Sequence, residues 1–90
     1  MNNVIIWTKP ARTDLDNITN YYYKYSKTYS KNIKLQINIS VKKLLEFPNL
    51  GRKYKNTHEI QCKNYRIIYV KRENNIYIIR IVHSSMNFKI

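Results

Sequence analysis

The stretch NYRIIYVKRENNIYIIRIVH, residues 64 to 83, carries an arginine near one end and a histidine at the other. It reads as two apolar strands joined by a polar turn at Asn74-Asn75. Centring the turn there sets Arg66 opposite His83 on one face and Arg80 opposite Tyr69 on the other. A guanidinium can hold a phosphate in a fixed two-pronged geometry. A histidine can move a proton near neutral pH. Arg52, Lys53 and Lys55, in the segment leading into these strands, add further cations. Together these are the components of metal-free RNA cleavage, in which a 2′-hydroxyl attacks its own phosphate. Scattered charge on a basic surface accounts for the same residues equally well.

Other constellations are weaker. His58 and Cys62 would meet on a helix, but HEIQC reads as a strand, which separates them by about 13 Å at ~3.3 Å per residue. One cysteine and two histidines without paired spacing make a poor zinc site, so neither metal nor cofactor is expected. A single glycine, Gly51, cannot build a phosphate-cradling loop. Among the carboxylates, Asp14 and Asp16 read as helix-start residues favoured by the helix dipole. Glu59 could point into an open sheet face as a general base. The run YYYKYSKTYSK could stack bases while its lysines hold phosphates. Placing Tyr22 and Tyr25 on an apolar helix face favours core and amphipathic surface instead.

The elements that must position these residues follow from the periodicity. VIIWT, residues 4 to 8, is a short strand ended by Lys9-Pro10. Pro10 suits the first turn of a helix, in which Ala11, Leu15, Ile18, Tyr22 and Tyr25 share a face. A turn falls in YSKTYSK, and Ile33, Ile37, Val41 and Leu44 define a second helix that stops before Pro48. Three strand-like segments follow, at 58 to 62, 65 to 71 and 76 to 83. The expected class is α+β: two N-terminal helices packed on an antiparallel sheet, in the order β-α-α-β-β-β. The helices cover one sheet face and leave the other partly open, apolar enough for a partner segment to cover it.

Ninety residues make a single domain, 1–90. No apolar stretch approaches the ~18 residues needed to span a bilayer. The start has no pattern of a secretory signal, and a lone Cys62 cannot form an internal disulfide, which fits a reducing cytoplasm. Seventeen Lys and Arg against five Asp and Glu give a net charge of +12. Asn, Ile, Lys and Tyr dominate the chain, and A/T-rich codons explain part of the lysine excess. They do not explain the scarcity of acids, which points to a phosphate-rich or acidic partner.

The order of these segments resembles the RelE/ParE superfamily of bacterial toxins, over nearly the whole chain. IIWTKPARTDLDNITNYY is similar to the family's opening strand and first helix. FPNLGRKY resembles its Pro-x-x-Gly-Arg loop, NYRIIYV its Tyr-Arg-Ile-x-Tyr strand, and IYIIRIVH its final strand ending in His. The resemblance implies the toxin of a type II toxin–antitoxin module, neutralised by an acidic or amphipathic antitoxin. Two activities divide the superfamily: ribosome-dependent mRNA cleavage in RelE-like members, and inhibition of DNA gyrase without intrinsic catalysis in ParE-like members. By resemblance, Arg66 matches the arginine that contacts phosphate in mRNA-cutting members, and His83 the strand-end position. Arg52 matches the Gly-Arg loop arginine, more typical of ParE-like and plasmid-stabilisation members. Cleaving members usually carry an arginine just after the final strand and often a tyrosine beyond it, whereas SSMNFKI, with Phe88, has neither. A developing transition-state charge would lack that cation.

The expectation is therefore a ParE-like growth inhibitor acting on gyrase. The alternatives are a metal-free, ribosome-dependent endoribonuclease using Arg66, His83 and Lys53 or Lys55, or a non-toxic basic module that binds nucleic acid.

Overall fold

The structure, a computed structural model, describes residues 2–86. Its elements run β1 (Val4–Trp7), α1 (Lys9–Tyr23), α2 (Lys27–Lys42), a 3-10 turn (Lys43–Leu45), β2 (Arg52–Tyr54), β3 (Thr57–Cys62), β4 (Tyr65–Arg72) and β5 (Asn75–His83). Two helices pack on one face of a five-stranded sheet ordered β1-β5-β4-β3-β2. No helix among these residues is long and apolar enough to cross a membrane.

Each helix starts where a hydroxyl can satisfy a backbone N–H that has no partner within the helix. Thr8 caps α1 by accepting from the Ala11 N–H, and its own hydroxyl donates to the Ile78 carbonyl at 2.7 Å. One side chain thus ties the end of β1, the start of α1 and the middle of β5. Ser26 caps α2, accepting from the Tyr29 N–H at 3.1 Å. Ser30, buried between the helices, donates to the Thr19 carbonyl at 2.7 Å. The four-and-three spacing in α2 does what it promises: Ile33, Ile37, Val41 and, in the 3-10 turn, Leu44 are all buried. In α1, Ala11, Leu15 and Ile18 are buried and Tyr22 packs against them. Tyr25 does not join that face. The helix has ended by then, and the ring is 75% exposed.

The sheet is mixed rather than antiparallel throughout, because β1 lies parallel to β5, pairing Val4 with Asn75 through Trp7 with Ile78. A parallel neighbour needs a long crossover, and the helical hairpin with β2 to β4 supplies it. The segment read as a loop at residues 52 to 54 is a short edge strand, β2. Three two-residue turns join β2 to β5, beginning at Lys55, Lys63 and Glu73 with φ of 54°, 52° and 57°. Each is followed by asparagine, a common turn residue.

Gly51 is required by close approach. A Cβ there would meet the Tyr69 hydroxyl at 2.6 Å and the Glu59 carbonyl at 2.9 Å. The buried Tyr69 hydroxyl accepts from the Gly51 N–H and donates to the Pro48 carbonyl, both at 2.9 Å. One phenol therefore fixes the loop that delivers Arg52 to the sheet.

Candidate functional site

The register of β4 and β5 decides what the candidate residues can do together. The turn residues are Glu73-Asn74, one position earlier than Asn74-Asn75, so Arg72 faces Asn75. A bulge then places an extra residue in β5 opposite the step between Ile68 and Tyr69. Beyond it Ile68 faces Arg80, Arg66 faces Val82 and Tyr65 faces His83. Successive side chains in a strand alternate faces, so a one-residue offset moves a side chain to the other side. Arg66 and His83 accordingly lie on opposite faces of the sheet, and Arg80 is not opposite Tyr69.

Arg66 belongs to the face without helices, together with Glu59, Gln61, Ile68 and Val82. Register also puts Arg52 there, directly across from Glu59. The Arg66 guanidinium donates from Nη1 to Glu59 Oε2 at 3.1 Å and from Nη2 to the Met86 carbonyl at 2.5 Å. Its Nε is buried without a partner. Glu59 thus points into the open face as the sequence allowed, but as the counter-ion of Arg66. Around this pair the face is apolar: Ile68 and Val82 are 2 and 3% exposed, and neither joins the helix-side core cluster. A shallow hollow beside them is lined by Thr8, Val70, Arg72, Tyr77 and Ile79.

His83 sits on the helix side, at the mouth of the core. Its ring meets Tyr65 edge-on, with centroids 5.5 Å apart. The Ser85 N–H donates to His83 Nδ1 at 3.1 Å, and the Ser85 hydroxyl lies 2.7 Å from the same nitrogen. Whenever the ring is neutral, an Nδ1 that accepts this N–H leaves the proton on Nε2. Tyr65 in turn donates to the Tyr22 hydroxyl at 3.2 Å. Burial pushes the Tyr65 phenol far above its ordinary range, and the hydrogen bond to Tyr22 adds to this. Burial likewise raises Tyr69, partly offset by the Gly51 N–H.

The remaining predicted cations divide as well. Lys53 pairs with His58, placing it on the helix side of the edge strand. Lys55 occupies a turn corner with its Nζ 5.6 Å from the Tyr54 ring centroid. Phosphate-holding and proton-moving groups are therefore not assembled in one pocket. Among the described residues no group of three or more His, Cys, Asp or Glu could hold a metal. His58 stacks on Tyr69 at 5.4 Å, and Cys62 is buried. Phe88 and the rest of the tail beyond Met86 lie outside the described residues.

The sequence reads Asp14 as a helix-start residue and misses its role as the partner of β5. Asp14 lies past the first turn of α1 and is not a dipole residue. Its carboxylate accepts from Arg80 Nε at 2.7 Å, from Arg80 Nη2 at 3.2 Å and from the Ile81 N–H at 2.9 Å. Those hydrogen bonds hold the Arg80 guanidinium still further above its usual range. The carboxylate also satisfies β5 just beyond the point where β1 stops. An aspartate inside a helix pattern gives no sequence signal for a strand 66 residues away.

With this geometry in hand, comparisons place the chain. A family model described as the ParE toxin of the type II toxin–antitoxin system parDE matches residues 5–88. The fold is similar to a solved structure of the chromosomal ParDE toxin–antitoxin system from P. aeruginosa. The TM-score is 0.79 at 20% identity, covering 90% of this chain and 95% of that one. It is also similar to the toxin–antitoxin complex RelBE2 from Mycobacterium tuberculosis. There the TM-score is 0.64 at 18% identity, with 92% and 99% covered. At such identities the two structures establish the fold alone. No curated protein gives a significant match.

Proposed function

Since the chain belongs to the ParE toxin family of type II toxin–antitoxin systems, we propose that it arrests growth in the cytoplasm by inhibiting DNA gyrase without cleaving RNA. The observation that carries this reading is the separation of Arg66 from His83 by the thickness of the sheet. General acid–base cleavage needs proton-moving groups within hydrogen-bond reach of one phosphodiester. Here the guanidinium is engaged by Glu59 on one face and the imidazole leans on Tyr65 on the other. A binding inhibitor needs no such convergence. The Gly51-Arg52 loop, held by Tyr69, adds support through its resemblance to ParE-like members.

The partner that neutralises the toxin is an antitoxin segment with an apolar stripe and acidic residues. The open sheet face supports that assignment, because the shallow hollow lined by Val70, Tyr77 and Ile79 lies on the same face as Arg52, Arg66 and Arg72. Such a segment would gain apolar burial together with charge complementarity.

Two reactions run side by side test the target. Purified protein is expected to block supercoiling of relaxed plasmid by gyrase, and to do so equally well with Arg66→Ala and His83→Ala combined. In a translation reaction on a defined mRNA, no new 5′ ends are expected. Cuts confined to ribosome-engaged message and abolished by Arg66→Ala would overturn the gyrase reading in favour of RelE-like cleavage.

A further inference from the structure

Four rings stand out where α1 turns into α2. Tyr21, Tyr23, Tyr25 and Tyr29 are 55, 53, 75 and 41% exposed. They are not scattered. Tyr25 lies 5.5 Å from Tyr21, Tyr21 5.1 Å from Tyr22 and Tyr22 4.8 Å from Tyr29, between ring centroids. Through the Tyr22 and Tyr65 hydroxyls the aromatic strip continues to the exposed His83. An aromatic ring left half in water adds little to the core, so the core alone does not account for this cluster.

Its electrostatic setting is one-sided. From Asn17 to Leu45 the sequence has no acid, while lysines stand at 24, 27, 31, 34, 42 and 43. Lys27 Nζ lies 5.4 Å from the Tyr23 ring centroid. At the other end of the strip, Lys63 precedes Asn64, whose carbonyl accepts the Ser84 N–H at 2.7 Å next to His83. The open sheet face differs, because its Arg66 is already matched by Glu59.

We propose that this tyrosine strip binds single-stranded nucleic acid, its exposed rings stacking on unpaired bases while Lys24, Lys27 and Lys31 hold phosphates. Every base offers a face to a tyrosine, so the binding is indifferent to sequence. A duplex keeps its base faces inside the stack and can offer these residues only phosphate. An acidic protein would satisfy the lysines but has no need of a run of ring faces. The site lies apart from the face assigned to the antitoxin, and it does not depend on which cellular target the toxin has.

The test is anisotropy of labelled oligo-dT, oligo-U and a duplex of equal length, titrated with the full chain at two salt concentrations. Single strands are expected to bind at least roughly tenfold more tightly than the duplex. Tyr21→Ala with Tyr25→Ala is expected to weaken strand binding by about tenfold or more, leaving duplex binding and the salt dependence unchanged. Tyr25→Phe retains a ring and should bind like the parent. Changing Lys24, Lys27 and Lys31 to Gln should lower the log–log salt slope by about 2. The two strands show whether DNA or RNA is preferred.

Equal affinity for strand and duplex, or no effect of the tyrosine changes, would leave only the diffuse charge of +12 and overturn the proposal. Loss of gyrase inhibition in the tyrosine variant, with strand binding intact, would assign the surface to a protein and overturn it too. Circular dichroism checks the fold of each variant. If the double change unfolds the chain, Tyr25→Ala alone, at the most exposed ring, decides the question.

Discussion

Tyr65 and Arg66 are consecutive residues that look out on different surroundings. On the helix side, Tyr65 is buried and joins Tyr22 and His83 in an aromatic contact with no carboxylate in it. On the open side, Arg66 is held by Glu59 and by the Met86 carbonyl. The difference shows how a strand sorts chemistry by parity: Arg66 meets its counter-ion Glu59 on one face, and Tyr65 meets aromatic rings on the other. A reading that put Arg66 and His83 together would have merged two surfaces that the sheet keeps apart.

The sharpest way to break this contrast is to truncate the two neighbours in turn. Tyr65→Ala should cost about 3–4 kcal/mol, because a large buried ring leaves a cavity and strands the Tyr22 hydroxyl. Arg66→Ala should cost only about 1 kcal/mol, as expected for a partly exposed pair. Urea denaturation measures both, and equal losses would contradict the division into a packed and an open face. The phenols supply a second probe. Burial raises Tyr65 and Tyr69 in the folded chain, so the unfolded chain loses those protons first. Stability is then full below about pH 10 and falls as pH rises beyond it. Tyr65→Phe should flatten that alkaline decline in denaturation followed across pH.

Two ion pairs sharpen the comparison further. Asp14→Ala removes a charged partner of Arg80 and the acceptor of the Ile81 N–H, and should cost about 2–3 kcal/mol. Glu59→Gln removes only a counter-ion and should cost at most about 1 kcal/mol. If Glu59→Gln proved the more damaging in thermal unfolding, the open face would be a core in its own right. Smallest of all, His83→Ala should change stability by no more than about 0.5 kcal/mol and leave growth arrest on induction intact. A loss of arrest would restore His83 to the mechanism.

Local rules wrote most of the fold into the sequence. The spacing of Ile33, Ile37, Val41 and Leu44 required a buried helix face, and Pro10 and Pro48 bracketed the helical region. Strand existence was equally legible in YRIIYV and IYIIRIV. Register was not. In a run of Ile, Tyr and Val each alignment buries comparable side chains, so neither the turn at Glu73-Asn74 nor the bulge leaves a compositional mark. The site inherits that ambiguity: Arg66, Arg52 and Glu59 were each identifiable, but which of them share a face depended on single-residue offsets. The exposure of Tyr25 was hidden for a different reason, since the helical period continues past the point where α1 stops. Asp14 needed knowledge of where β1 ends on β5, which is a tertiary fact.

The parallel pairing of β1 with β5 has a consequence for synthesis. β5 lies between β1 and β4 and contributes Ile76, Ile78 and Ile81 to the core, yet it is the last of the five strands to leave the ribosome. Until it emerges, β1 has no neighbour, Thr8 has no Ile78 carbonyl to bind, and α1 lacks the strand it packs against. Such distant pairing makes assembly slow relative to local structure. A nascent chain of this topology therefore cannot close its sheet, or cap α1 through Thr8 onto β5, until its last strand has been made.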